Sequence, residues 1–215
     1  MTARIFTVAQ QKGGAGKTTL VAHLAVSWSS QGRSVALIDI DPQGSLSLWV
    51  QQRRGAQNGE DLGFTFSQIT GWRLAAEVDR LAREHDAVLI DSPPHAATEA
   101  RIAVRAASLV IVPVQPSPMD LWATKPTLEL AWSERRPVFL VVNRMPARSR
   151  LATDMVEKLT ALNIGVARST LGNRVAFAET LAFGKGVSEV EPGSPAAQEI
   201  SALGQEIWDH TAGSP

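Results

Sequence analysis

Two kinds of apolar stretch alternate along the chain. Short, nearly continuous β-branched or aliphatic runs occur at residues 4–9 (RIFTVA), 34–40 (SVALIDI), 87–91 (AVLID), 108–114 (SLVIVPV) and 137–142 (PVFLVV). Strands apolar at every position are those buried on both faces, as in a parallel sheet with helices above and below it. Between the runs, residues 18–31, 73–84, 99–107, 121–133, 151–162 and 195–210 repeat their apolar positions at helical spacing. The first of these carries Leu20, Leu24 and Trp28 along one side and stops at Gly32, a helix-ending glycine. Residues 53–63 (RRGAQNGEDLG) are polar and glycine-rich and read as a surface loop. With no internal repeat, the alternation predicts one α/β domain over residues 1–215: a single doubly wound, mostly parallel sheet flanked by helices.

Composition narrows the chemistry. The chain has 215 residues, with 21 Lys+Arg against 21 Asp+Glu, so only a local basic patch could face nucleic acid. Cysteine is absent, which excludes disulfides, thiolate metal sites, thiolate-held iron–sulfur clusters and a cysteine nucleophile. No uncharged apolar run reaches the ~18 residues of a membrane span and the N-terminus does not resemble a signal peptide, so a cytoplasmic protein is expected. Of the six tryptophans, Trp28, Trp49 and Trp132 fall in helical segments and read as packing residues, whereas Trp72 and Trp122 flank loops.

The most specific segment is residues 11–19, QKGGAGKTT, directly after the first strand and opening the first helix. Gly13, Gly14, Ala15 and Gly16 let the backbone curl so that its N–H groups converge on phosphate oxygens at a helix N-terminus. Lys17 then reaches the outer phosphates, the Thr18 hydroxyl serves Mg²⁺, and Thr19 joins the nucleotide-binding residues. The ordinary pattern G-x-x-x-x-G-K-[ST] would place glycine where this chain has Gln11, and a second lysine, Lys12, precedes Gly13. Two further strands end in acids: LIDIDPQGS carries Asp39 and Asp41, and AVLIDSPP carries Asp91. Ligands of open parallel sheets bind at that edge.

These residues resemble the deviant Walker A motif, KGGxGK[ST], of the ParA/MinD family of P-loop ATPases, with its DxDPQ and DxPP-like switches. The run PVQPSPMDL (residues 113–121) is similar to the short, ParF-like partition proteins of that family. The resemblance implies ATP and Mg²⁺ as cofactors and slow hydrolysis by in-line attack of water. It also implies that Lys12 contacts the nucleotide of a facing subunit in an ATP-bound homodimer, and that Asp120 lies close to the nucleotide across that interface. By the same resemblance Asp41 orients the attacking water and lies by the metal, Asp39 sits beside Lys17 and the metal's waters, and Asp91 holds a water on Mg²⁺. The loop 92–95, ending in His95, senses the γ-phosphate, and Asn143 recognises the adenine edge.

The family further implies non-specific DNA binding in the ATP state, release when a ParB-like adaptor or other cargo protein stimulates hydrolysis, and a nucleoid-associated location. Candidate DNA contacts are Arg144, Arg148, Arg150, Arg168, Arg174 and Lys185. The first strand starts close to the N-terminus, so no helix-turn-helix segment is expected before it. Two other readings share the loop. A MinD-like ATPase would need a basic amphipathic C-terminal helix, yet no Lys or Arg follows Lys185. P-loop amidating synthases of metabolism are the enzymatic alternative. Nitrogenase iron protein and iron–sulfur carriers share the loop but need cysteines.

Overall fold

The computed structural model describes residues 3–56, 61–94, 97–162 and 164–212. Seven parallel strands form one sheet in the order β3-β2-β4-β1-β5-β6-β7. The five strands expected from continuous apolar runs are β1 (Arg4–Val8), β2 (Val35–Asp39), β4 (Ala87–Asp91), β5 (Leu109–Val114) and β6 (Val138–Val142). Both sheet edges escape that pattern. β3 (Thr65–Gln68) is a half-exposed polar strand and β7 (Gly165–Val166) has only two residues.

Alternate positions of the central strands feed opposite faces, which is why nearly every position before their acidic ends is apolar. Ala87 and Leu89 of β4, with Leu109 and Ile111 of β5, pack under α1 (Lys17–Ser30) and α9 (Pro195–Ala212). On the other face, Val88 and Ile90 meet α3 (Leu74–Leu81) and Ala103 of α4 (Ala97–Ala106). There Val110, Val112 and Val114 pack with Leu128 of α5 (Pro118–Ser133) and Leu159 of α6 (Arg150–Thr160).

α1 and α9 approach closely at a glycine. A Cβ at Gly204 would lie 2.8 Å from Trp28 Nε1, which instead donates to the Gly204 carbonyl at 3.2 Å. Trp28 is fully buried and Trp49 nearly so, but Trp132 is 54% exposed, correcting the reading of it as a packing residue.

The loop expected over residues 53–63 is in part helix. α2 runs Ser45–Ala56, and Arg53 inside it is buried. Its guanidinium holds Glu189 bidentately at 2.8 and 2.6 Å and donates to the Leu62 and Gly184 carbonyls. Arg53 thereby joins α2 to the turn between α7 (Ala176–Ala182) and α8 (Val187–Val190), two short helices that the sequence pattern did not reveal. α5 begins at Pro118, three residues before the expected start. Ser117 caps it by accepting the Asp120 N–H, and proline at the first helical position loses no needed donor.

His23 joins the same region to α1. Its ring lies between the Phe177 carbonyl, 2.9 Å from Nε2, and the Val187 N–H, which donates to Nδ1 at 3.3 Å. These partners require the neutral tautomer with the proton on Nε2, and burial pulls its pKa down to about 4. The unfolded chain therefore binds a proton that the native state refuses as pH falls from about 6.5 towards 4, and stability drops across that window. The expected loss from this one residue is on the order of 3 kcal/mol. Urea midpoints of wild type and His23→Gln should converge between pH 7 and pH 4.5; parallel curves would show that His23 does not drive the loss.

Candidate nucleotide site

The glycine-rich segment is held open from outside. Gly14 and Gly16 take φ of +75° and +92°, which side-chain-bearing residues rarely adopt, and a Cβ on Gly16 would collide with the Asn143 amide. The Gly14 carbonyl accepts from Gln115 Nε2 at 3.2 Å, and the Ala15 carbonyl from Asn143 Nδ2 at 2.9 Å. With these carbonyls tied back, the N–H groups of Gly13 to Gly16 have no partner among the described residues. Gly16 also begins α1 without a side-chain cap, leaving the positive end of the helix exposed to a ligand.

A buried glutamine that sequence reasoning passed over sets the entrance of this loop. Gln10 is 3% exposed and donates from Nε2 to Thr124 at 3.1 Å. Its Oε1 accepts from Thr127 at 3.0 Å and, at 3.4 Å, from the Lys12 N–H. Thr127 also accepts the Gln11 N–H. The signal was available as threonines one helical turn apart on α5, but their partner lies more than a hundred residues away.

Lys12 and Asp120 are brought together within one chain. Lys12 Nζ lies 2.7 Å from Asp120 Oδ2, and that carboxylate also accepts from Ser117 Oγ at 2.5 Å. A pair with one partner partly in solvent contributes on the order of 1 kcal/mol, so a stronger anion can displace it.

At the floor of the cleft, Thr18 Oγ1 donates to Asp91 Oδ2 at 2.6 Å, while Asp91 Oδ1 is buried without a partner. Burial pushes the Asp91 carboxyl up to about 7, and the neighbouring Asp39 adds to the rise against the Thr18 bond. Burial lowers Lys17, with Asp91 and Asp41 opposing the change. A cation reached through the Thr18 hydroxyl and the orphaned Asp91 oxygen would satisfy this carboxylate, so the residues fit Mg²⁺ carried in with a polyphosphate.

Asp39 lies close enough to Asp91, beside Lys17, to add to its pKa rise, and it is fully engaged by hydrogen bonds. Its oxygens accept from the Ser47 N–H at 2.9 Å, the Ser47 hydroxyl at 2.6 Å and the Asp41 N–H at 3.0 Å. It therefore staples the turn that presents Asp41 to the start of α2. Asp41 lines the cleft and accepts the Gln43 N–H at 3.0 Å. Ser92 donates to the Val8 carbonyl at 2.8 Å, and His95 lies outside the described residues.

Two cavities adjoin the loop. A cleft of about 700 Å³ is lined by Gly13, Lys17, Thr18, Asp41, Leu48 and Arg144 among others. Beside Gly16, a cavity of about 290 Å³ has apolar walls from Leu20, Leu171 and Phe177 and polar groups at Asn143, Asn173 and Arg144. The Asn143 amide is partly engaged, since its Oδ1 also accepts the Arg144 N–H.

The six basic candidates sit in different surroundings. Arg144 stands in the nucleotide cleft. Arg174 also borders the smaller cavity but is bound to Glu199 at 2.6 Å, and Arg168 lies 3.7 Å from Glu206, so both face acids of α9. Arg148, Arg150 and Lys185 are exposed and have no ion pair among the described residues. No described helix is long and apolar enough to cross a membrane.

Comparison with known proteins agrees with this geometry. The chain is 30% identical over 210 residues to the maintenance of carboxysome distribution protein A of Halothiobacillus neapolitanus, covering 93% of this chain and 94% of that one. It is also 30% identical over 236 residues to the chromosome-partitioning ATPase Soj of Thermus thermophilus, covering 95% of each. An ATP complex of a Cyanothece McdA variant superposes with a TM-score of 0.79 over 97% of both chains at 18% identity, which shows the shared fold. The model of the CobQ/CobB/MinD/ParA nucleotide binding domain matches residues 6–187, and the chain belongs to that family.

Proposed function

We propose that this protein is a slow, Mg²⁺-dependent ATPase that dimerises on ATP, binds DNA without sequence preference and positions a cargo through a partner protein. The observation that carries the reading is the phosphate cradle: amides from Gly13 to Gly16 without protein partners, closed by Lys17 and the Thr18–Asp91 pair. Relatives named for carboxysome distribution and chromosome partitioning support positioning over the amidating chemistry of other family members.

The chemistry asked of the chain is modest. Thr18 and the orphaned Asp91 oxygen would hold Mg²⁺, which would supply positive charge against the charge that develops on the phosphates. The cradle amides and Lys17 orient the chain of phosphates, and Thr18 and Asp91 keep the metal end in place. Asp41, fixed by its bonds to Asp39 and Gln43, orients a water against the terminal phosphate. No stronger base adjoins it among the residues lining the cleft, so intrinsic turnover is slow and suits a timer set by a partner.

The dimer half of the proposal rests on surface chemistry at the same edge. Leu48, Trp72, Met119 and Trp122 are all more than 60% exposed, and each follows the C-terminal end of a parallel strand. Exposed apolar side chains at the sheet edge that carries the cleft, Leu48 among the residues lining it, suit a second copy that seals the nucleotide between two faces. Lys12 leaves Asp120 to meet the polyphosphate of the facing copy, whose roughly four negative charges outweigh one carboxylate.

DNA contacts fall to Arg148, Arg150 and Lys185, doubled in a dimer. Binding to random duplex DNA should appear with a non-hydrolysable ATP analogue, be absent with ADP, and weaken steeply from 50 to 200 mM salt. Salt-independent or ADP-supported binding contradicts that. Lys12→Ala should bind ADP within about threefold of wild type yet lose at least tenfold in ATP-dependent DNA binding. Equal DNA binding by the variant removes the role across the dimer.

A further inference from the structure

Arg144 has features that a surface DNA contact does not require. It sits at φ +54°, one of only two non-glycine residues with positive φ among those described. A long side chain in that region is strained, and such strain persists where surrounding bonds impose it. Here they come from Asn143, whose Oδ1 accepts the Arg144 N–H at 2.9 Å while its Nδ2 holds the Ala15 carbonyl. The residue that shapes the phosphate loop thus also fixes the backbone of Arg144.

The position this creates is specific. Arg144 lines both the small apolar cavity beside Gly16 and the larger phosphate cleft. The charged residues bordering the two cavities are Lys17, Asp41, Arg144 and Arg174. Lys17 is countered by Asp91 and Asp41, and Arg174 by Glu199. Lys12, at the loop entrance, is bound to Asp120. Arg144 is the one cation of this set with no acidic partner among the described residues. An exposed guanidinium without an acidic partner, at the border between an apolar cavity that suits a base and a cleft that suits phosphates, is within reach of the point where a nucleotide's sugar would join its first phosphate.

We propose that Arg144 binds the α-phosphate and sugar of the nucleotide held by its own subunit, instead of contacting DNA. This rests on the nucleotide reading above. A contact to the α-phosphate is common to di- and triphosphates, so Arg144 sets affinity for both and does not distinguish them. It also supplies charge that Lys17, with two acids nearby, cannot supply alone.

The test is the affinity of full-length wild type and three variants for ADP and for AMP-PNP, each with Mg²⁺, by titration calorimetry, with melting temperatures of the nucleotide-free proteins. Arg144→Ala should weaken both ligands by the same factor, about tenfold for one charge-assisted contact. Arg144→Lys should recover part of the loss. Arg144→Gly should bind as weakly as Arg144→Ala yet melt at or above the wild-type temperature, because glycine relieves the positive φ. Unchanged affinities overturn the proposal, as does a loss confined to AMP-PNP, which would assign the residue to the γ-phosphate. A binding loss in Arg144→Gly that accompanies a lower melting temperature would make the role structural. If wild type binds neither ligand, the nucleotide reading itself falls, and this assignment with it.

Discussion

A phosphate cradle works only if its amides point at the ligand, and a short glycine-rich loop does not hold that geometry unaided. Here the constraint is applied from behind. Gln115, on the connection after β5, takes the Gly14 carbonyl, and Asn143, at the end of β6, takes the Ala15 carbonyl. Gln10 and Thr127 fix the entrance through the N–H groups of Lys12 and Gln11. Each brace comes from the C-terminal end of a parallel strand or the helix that follows it. The sheet order that places β5 beside β1, and β6 beside β5, therefore builds the loop's outer wall. The remaining features of the site depend on that wall, including the position of Arg144 and the reach of Lys12 to Asp120.

The acids of the cleft divide their work by environment. Asp39 is saturated by Ser47 and the Asp41 N–H and acts as a staple for the turn. Asp91 has one oxygen bonded to Thr18 and one buried and orphaned, a condition that a cation relieves. Asp41 alone projects into the cleft from a tight turn. Three carboxylates of the same type, within two strand ends, thus sit in three environments: one saturated by hydrogen bonds, one with a buried orphaned oxygen and one open to the cleft.

Strands buried on both faces were legible because nearly every residue before their acidic ends is apolar; β3 and β7 were not, since an edge strand with one wet face loses that signature. The phosphate loop was legible because glycines, lysine and threonine at fixed spacing act through the local backbone. Arg53, Gln10 and His23 were not, because their partners, Glu189, Thr124 and Phe177, lie far away in sequence. Basic residues were the least legible. Arg168 and Arg174 read as candidate DNA contacts, yet α9 places Glu206 and Glu199 against them, and Arg144, though exposed, borders both cavities of the nucleotide site.

Lys12 is held in its own subunit by Asp120, and the proposed dimer requires that it turn to a second copy when ATP occupies the cradle. The most direct test is the mass of the wild-type protein in sedimentation equilibrium with Mg²⁺ and either ADP or a non-hydrolysable ATP analogue. A monomer with ADP and a dimer with the analogue are predicted. The same mass with both nucleotides would contradict the claim.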